Sequence, residues 1–273
     1  MRIFWAACLS LVATVAWSEE DFPRQFDRLM DAMRMNEVIG ILVEEGRAAG
    51  LELEDSMFPG RGGQAWQDEL DRIYEREGRQ VQLRREMSRF LEGADMPVLL
   101  EFMESPRGQR IMALEVSARR AFMDPEMEVI AGDLYANAAE ELPTLHKQVS
   151  EFSEVNNLVD GNVEGAFASN AAFALGAHEA GAFAGLTVDQ LIAQMWQGDE
   201  AVRADVSDWL YAYTMTAYQP LSEDDMTAYI AISKTEPGQQ LNAAIMTAFG
   251  TLFSDISYDL GAAAGRFMAQ QDL

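Results

Sequence analysis

Two stretches of this chain match, without a gap, at a fixed separation of 130 positions. Asp95-Met96 corresponds to Asp225-Met226 and Leu99-Leu100 to Tyr229-Ile230. Ser105-Pro106-Arg107-Gly108-Gln109 corresponds to Thr235-Glu236-Pro237-Gly238-Gln239. Ile111, Ala118 and Phe122 then fall opposite Leu241, Ala248 and Leu252. Self-similarity restricts a fold more than any single motif does, because one supersecondary unit must find its packing twice. The shared segment also says what the unit is made of. Ser105 or Thr235 can cap a helix by accepting from exposed backbone N–H groups. A proline in the first turn has the φ that a helix needs and no N–H to leave unpaired. Gly108 or Gly238 lacks a Cβ and lets another helix cross closely, and Gln109 or Gln239 can hydrogen-bond at the crossing. The motif reads as a helix-break-helix corner, and it needs no ligand to explain it.

Helical spacing dominates the rest of the chain, and no run alternates as a strand would. Phe26, Leu29, Met30 and Met33 share a face, and Asn36 offers a cap for a second helix through Val38, Ile39, Leu42 and Val43. That helix is expected to end near Gly46 or Gly50, with a loop from Leu51 to Gln64 around Pro59-Gly60 and Gly62-Gly63. Further apolar faces carry Trp66, Leu70 and Ile73, then Leu83, Met87 and Leu91. Thr187 to Gln190 and Ser222 to Asp225 have the capping-box pattern. The expectation is an all-α protein of two related multi-helix units packed together, residues 19–140 and 141–273.

The N-terminus reads as a secretory signal peptide over residues 1–18. Arg2 supplies the positive end, Ile3 to Val15 is almost wholly apolar, and Ala16-Trp17-Ser18 presents small residues for cleavage before Glu19. The apolar run is too short for a membrane span. Cys8, the single cysteine, lies inside this segment. The mature chain then has no disulfide, thiol nucleophile, zinc–thiolate site or iron–sulfur cluster. The chain carries 20 Lys and Arg against 45 Asp and Glu, a net charge of -25. Such a field repels nucleic acid and anionic lipid and favours cationic partners. Localisation in a bacterial periplasm is the expectation.

In an exported chain, the segment Leu99-Leu100-Glu101-Phe102-Met103-Glu104-Ser105-Pro106-Arg107-Gly108-Gln109 resembles the signature of the bacterial exported domain-of-unknown-function family 2059. The second copy moves the proline by one place, to Pro237. The resemblance implies an all-helical secreted or periplasmic module. It brings no catalytic residues with it.

Several groups of residues could carry chemistry. Met30, Met33 and Met35 form a cluster of the kind that binds Cu(I) through thioethers, although the first two also fall on an apolar face. Asp160-Gly161-Asn162-Val163-Glu164-Gly165 opens like a calcium loop, but Ala171 stands where the bidentate glutamate belongs, so a turn between helices is the better account. His146 and His178 have no metal spacing. Glu223 and Asp225 are a carboxylate pair that a glycan hydrolase could use, but such pairs arise by chance in so acidic a chain, and these fall in a helix's first turn, where the dipole explains them. Arginines at 84, 85, 89, 107, 110, 119 and 120 could form a docking face or pair with the surplus carboxylates.

No cofactor pattern is present, and none is expected. The leading expectation is a non-catalytic interaction or ligand-binding module, whose groove between the units takes a partner helix, another periplasmic protein or an apolar ligand. A copper carrier and an envelope hydrolase are the alternatives.

Overall fold

A computed structural model of the chain describes residues 21–183, 185–195 and 199–269. The expected signal peptide, with Cys8, lies outside the described residues. Those residues are all-α, with no strand among them. Helices α1 (Phe22–Ala32), α2 (Met35–Met57), α3 (Gly63–Ile73) and α4 (Arg76–Leu91) lead to the short α5 (Met96–Met103) and to α6 (Pro106–Ala121). Helix α7 (Pro125–Glu141) connects these to α8 (Pro143–Val155), α9 (Leu158–Glu179), α10 (Val188–Met195) and α11 (Asp199–Tyr218). The short α12 (Glu223–Ser233) and the long α13 (Glu236–Ala269) complete the order. No helix among the described residues is long and apolar enough to cross a membrane.

The corners are closed bond for bond in the same way. The Ser105 hydroxyl donates to the Phe102 carbonyl at 2.6 Å and accepts from the Gly108 N–H at 3.0 Å. The Thr235 hydroxyl donates to the Ile232 carbonyl at 2.7 Å and accepts from the Gly238 N–H at 3.1 Å. Gln109 Nε2 donates to the Met103 carbonyl at 2.7 Å and, across to α1, to the Ala32 carbonyl at 2.9 Å. Gln239 Nε2 donates to the Ser233 carbonyl at 2.6 Å and, across to α8, to the Val155 carbonyl at 3.1 Å. Each glutamine thus satisfies two carbonyls left over at helix C-termini. A Cβ at Gly108 or Gly238 would run into the carbonyl of Phe102 or Ile232, so glycine is required by the approach of the preceding short helix. The helices that receive the glutamines also end alike, with Arg34 and Asn157 in left-handed conformation at φ 56 and 50.

The second helix is longer than its glycines suggest. Helix α2 continues through Gly46 and Gly50 to Met57, leaving a short loop before α3. A Cβ at Gly46 would collide with the Tyr74 ring, and one at Gly50 with the Leu70 side chain. Trp66 Nε1 also donates to the Gly50 carbonyl at 2.8 Å. These glycines make room for side chains of α3 and the turn after it, and packing outweighs their low helix propensity. Asn36 lies in the first turn of α2 rather than capping it; its side-chain oxygen accepts from Gln80. Residues 160–165, expected as a turn, lie inside α9. The turn falls at Asn156-Asn157, and Asp160 takes the first turn of α9, where the helix dipole favours a carboxylate. The capping box at Thr187 forms reciprocally, with Gln190 N–H donating to the Thr187 hydroxyl and Thr187 N–H to the Gln190 side chain.

Helices from both halves share one core, running from Phe26 and Leu29 to Ala263 and Ala264. The halves interlock: α4 packs against α13, and α11 packs against α6 and α7. Helix α13 lies most intimately on α9. A Cβ on Gly176 would strike the Tyr258 carbonyl, and one on Gly261 the Phe173 carbonyl, so the two backbones touch. Near its end, α13 places Phe267 in stacking contact with Phe58, 5.2 Å between ring centroids, and edge-on to Trp66 at 5.7 Å.

Gly108→Ala and Gly238→Ala are each expected to lower stability by roughly 1–3 kcal/mol, the usual range for overpacking. Gln239→Ala, which strips two carbonyls of their donor, is expected to lose a similar amount. Urea unfolding followed by circular dichroism measures all three; a loss within a few tenths of a kcal/mol would show that the corners relax freely.

Candidate functional site

The amphipathic faces do not close completely against one another. They leave a cavity of about 500 Å³ where the two halves meet. Met33, Met35 and Leu42 come to it from the first turn region and α2, Met103 from α5, and Met112 and Val116 from α6. The second half supplies Phe152 from α8, Ala166 from α9, and Leu241, Ile245, Met246 and Phe249 from α13. Phe253, 40% exposed, stands at the rim. Gly165 and Gly250 also line it, and a Cβ built on either meets nothing within 4 Å. The walls are thus mainly aliphatic, with methionines that can adjust to an irregular occupant.

One carboxyl interrupts these walls. Glu115 lies on the apolar face of α6, in register with the buried Ile111 and Ala118. Its Oε1 accepts from the Tyr218 hydroxyl at 2.8 Å and from the Tyr229 hydroxyl at 3.0 Å. The Tyr213 hydroxyl donates to the Glu115 carbonyl at 3.0 Å. The residue keeps some accessible surface because it faces the cavity, yet its carboxyl is surrounded by the density of the interior. Burial pushes that carboxyl above the ordinary range, although the two tyrosine donors pull it down. Burial and the neighbouring Glu115 charge push the Tyr218 and Tyr229 hydroxyls well up, so both remain protonated donors. Phe152 closes the group, 4.8 Å from the Tyr229 ring centroid and 5.5 Å from that of Tyr218.

The positive charge near the cavity is already matched. Arg119, one turn beyond Glu115, pairs with Glu45 at 2.5 Å and lies 5.3 Å above the Trp209 ring. Five more arginines of the expected docking face are engaged within the chain, while Arg120 is exposed. Arg84 pairs with Asp27, and Arg85 and Arg89 both pair with Glu86. Arg107 pairs with Asp225 at 2.7 Å, and Arg110 donates to the Pro220 carbonyl at 2.7 Å.

The residues singled out by sequence separate into those near the cavity and those away from it. Gly238 is on the cavity wall, and Met103, just before the Ser105 corner, reaches it too. Met30, Met33 and Met35 are 2%, 4% and 8% exposed, so their thioethers are enclosed in the core; Met33 and Met35 face the cavity. No group of three or more His, Cys, Asp or Glu side chains able to hold a metal ion occurs among the described residues. The Glu223 and Asp225 pair lies in the first turn of α12, where the N-cap Ser222 hydroxyl accepts from the Asp225 N–H at 3.1 Å and Arg107 holds the Asp225 carboxyl below the usual range. His146 stacks on Tyr135, and His178 Nε2 bonds the Leu186 carbonyl at 2.9 Å. Glu115, Tyr213, Tyr218 and Tyr229 were not anticipated; the available signal was a carboxylate on the apolar face of α6. No family model, no curated protein and no solved structure matches this chain.

The raised carboxyl fixes a pH dependence. The native state holds the Glu115 proton more tightly than the unfolded chain, so this residue's contribution to stability falls as pH rises from the ordinary carboxylate value through the native one. Glu115→Gln lacks the effect. Its stability relative to the parent is therefore expected to be higher at neutral pH than at about pH 4, where the carboxyl is largely protonated in both states. Urea titrations of both proteins across that range test it, and a constant difference would show that Glu115 titrates normally.

Proposed function

We propose that this chain is a non-catalytic binding module of the bacterial periplasm, built from two related helical units, whose cavity takes an apolar small molecule. The cavity is the observation that carries this reading. Its volume of about 500 Å³ lies within the range of small-molecule sites, and its mainly apolar walls with one polar cluster have the composition of such sites. At the ~30 Å³ taken by a water-sized group, it has room for roughly fifteen non-hydrogen atoms. The matching corners at Ser105 and Thr235 support two related units, and the signal-like N-terminus supports export. The corner sequence also supports placing the chain near the exported helical family that residues 99–109 resemble.

The test uses N-phenylnaphthylamine, an uncharged probe that fluoresces in apolar surroundings. One saturable site is expected on the parent protein. Gly165→Leu places an aliphatic side chain in the open space beside α9, where helix propensity also favours it. This variant is expected to retain its fold and stability while losing at least roughly tenfold in probe affinity. Undiminished binding would place the probe elsewhere and remove the cavity as the binding site. Separately, intact mass spectrometry of protein recovered from a periplasmic extract is expected to give a chain beginning at Glu19. Retention of residues 1–18 would refute cleavage.

A further inference from the structure

The polar cluster gives the cavity a direction and a charge. Glu115 Oε1 is saturated by Tyr218 and Tyr229, whereas Oε2 has no donor among the described residues and is not sealed from the cavity. Arg119, the nearby cation, is held by Glu45 and by the Trp209 ring. The ionisable group left without a partner of opposite charge on this wall is therefore acidic. Near it stand Tyr229, Tyr213 and Phe152, aromatic rings of the kind whose faces attract a cation. The chain as a whole, at a net charge of -25, draws cations toward its surface.

We propose that the cavity selects amphiphiles bearing a protonated amine, with the ammonium on Glu115 Oε2 and the apolar body along the methionine and leucine walls. This inference rests on the cavity being a binding site and adds the class of its ligand. An ammonium supplies the donor that Oε2 lacks, and its charge pairs with the carboxylate. A carboxylate ligand would meet Glu115 as a like charge and would have to take Arg119 from Glu45. An alcohol can donate one hydrogen bond but leaves the carboxylate charge unmatched in an apolar space.

Isothermal titration of the full mature chain with decylamine, decanol and decanoate at neutral pH separates these cases, since the three differ only in the head group. Decylammonium is expected to bind roughly tenfold or more tightly than decanol, with decanoate weakest, in line with the strength of charge-assisted hydrogen bonds. In Glu115→Gln the ratio of amine to alcohol affinity is expected to collapse toward one. Equal affinities for amine and alcohol in the parent protein, or decanoate as the tightest ligand, would overturn the proposal without any variant being needed. An amine preference that survives both Glu115→Gln and Gly165→Leu would assign it to the acidic surface and overturn the proposal too. Binding of all three that Gly165→Leu abolishes, without preference among them, would leave the cavity reading standing and remove only the head-group selection. Failure of all three and of N-phenylnaphthylamine would remove both.

Discussion

The contact on which the rest of the architecture depends is backbone against backbone, between α9 and α13. Gly176 and Gly261 present bare backbone where any Cβ would meet a carbonyl of the other helix, and Ala177, Ala263 and Ala264 continue the seam. Packing at this separation gains dispersion contacts along the backbones and commits no long side chains to the interface. The longer side chains of α13 are left to serve its other faces. Toward one end, Phe267 reaches the aromatic cluster of Phe58 and Trp66; toward the other, Leu241, Ile245 and Phe249 form a cavity wall. A bulky residue in the seam would push α13 outward along its length and change both ends together.

The polar cluster at Glu115 is the costliest element in this core. Moving a carboxyl into an apolar space is unfavourable unless hydrogen bonds and charge are matched. Two tyrosine hydroxyls match one oxygen only, and burial still dominates the titration. The arrangement also consumes the hydroxyls of Tyr218 and Tyr229, which would otherwise be buried donors without acceptors. A fully apolar triad of the same shape would pack with less penalty.

Much of the local structure was legible in the sequence, and little of its assembly was. The corners at Ser105 and Thr235, the capping box at Thr187 and the apolar faces carrying Leu29, Trp66, Leu83 and Leu241 depend on residues a few positions apart, so their patterns can be read directly. Gly46 and Gly50 misled, because the residues that make them tolerable in a helix lie about twenty or more positions later, at Leu70 and Tyr74. Asp160 misled for a related reason: the left-handed turn sits at Asn157, just ahead of the acidic run. The cavity cluster had the weakest signal of all. Tyr218 and Tyr229 lie 103 and 114 positions from Glu115, and only the packing of α6, α11 and α12 unites them.

The interlocking of the halves also bears on how the molecule comes to be folded. Helix α4 waits for α13, and Glu69 on α3 meets its partner Arg266 across 197 residues. The loop entropy of such pairings grows slowly with length, but it must be overcome before the contacts reward it, and folding slows as contacts become more distant in sequence. Until α13 docks, the aromatic faces of Phe58 and Trp66 are uncovered. A nascent chain therefore exposes a sticky surface in its first quarter until α13 covers it. That makes premature association, rather than insufficient final stability, the hazard this topology carries during biogenesis.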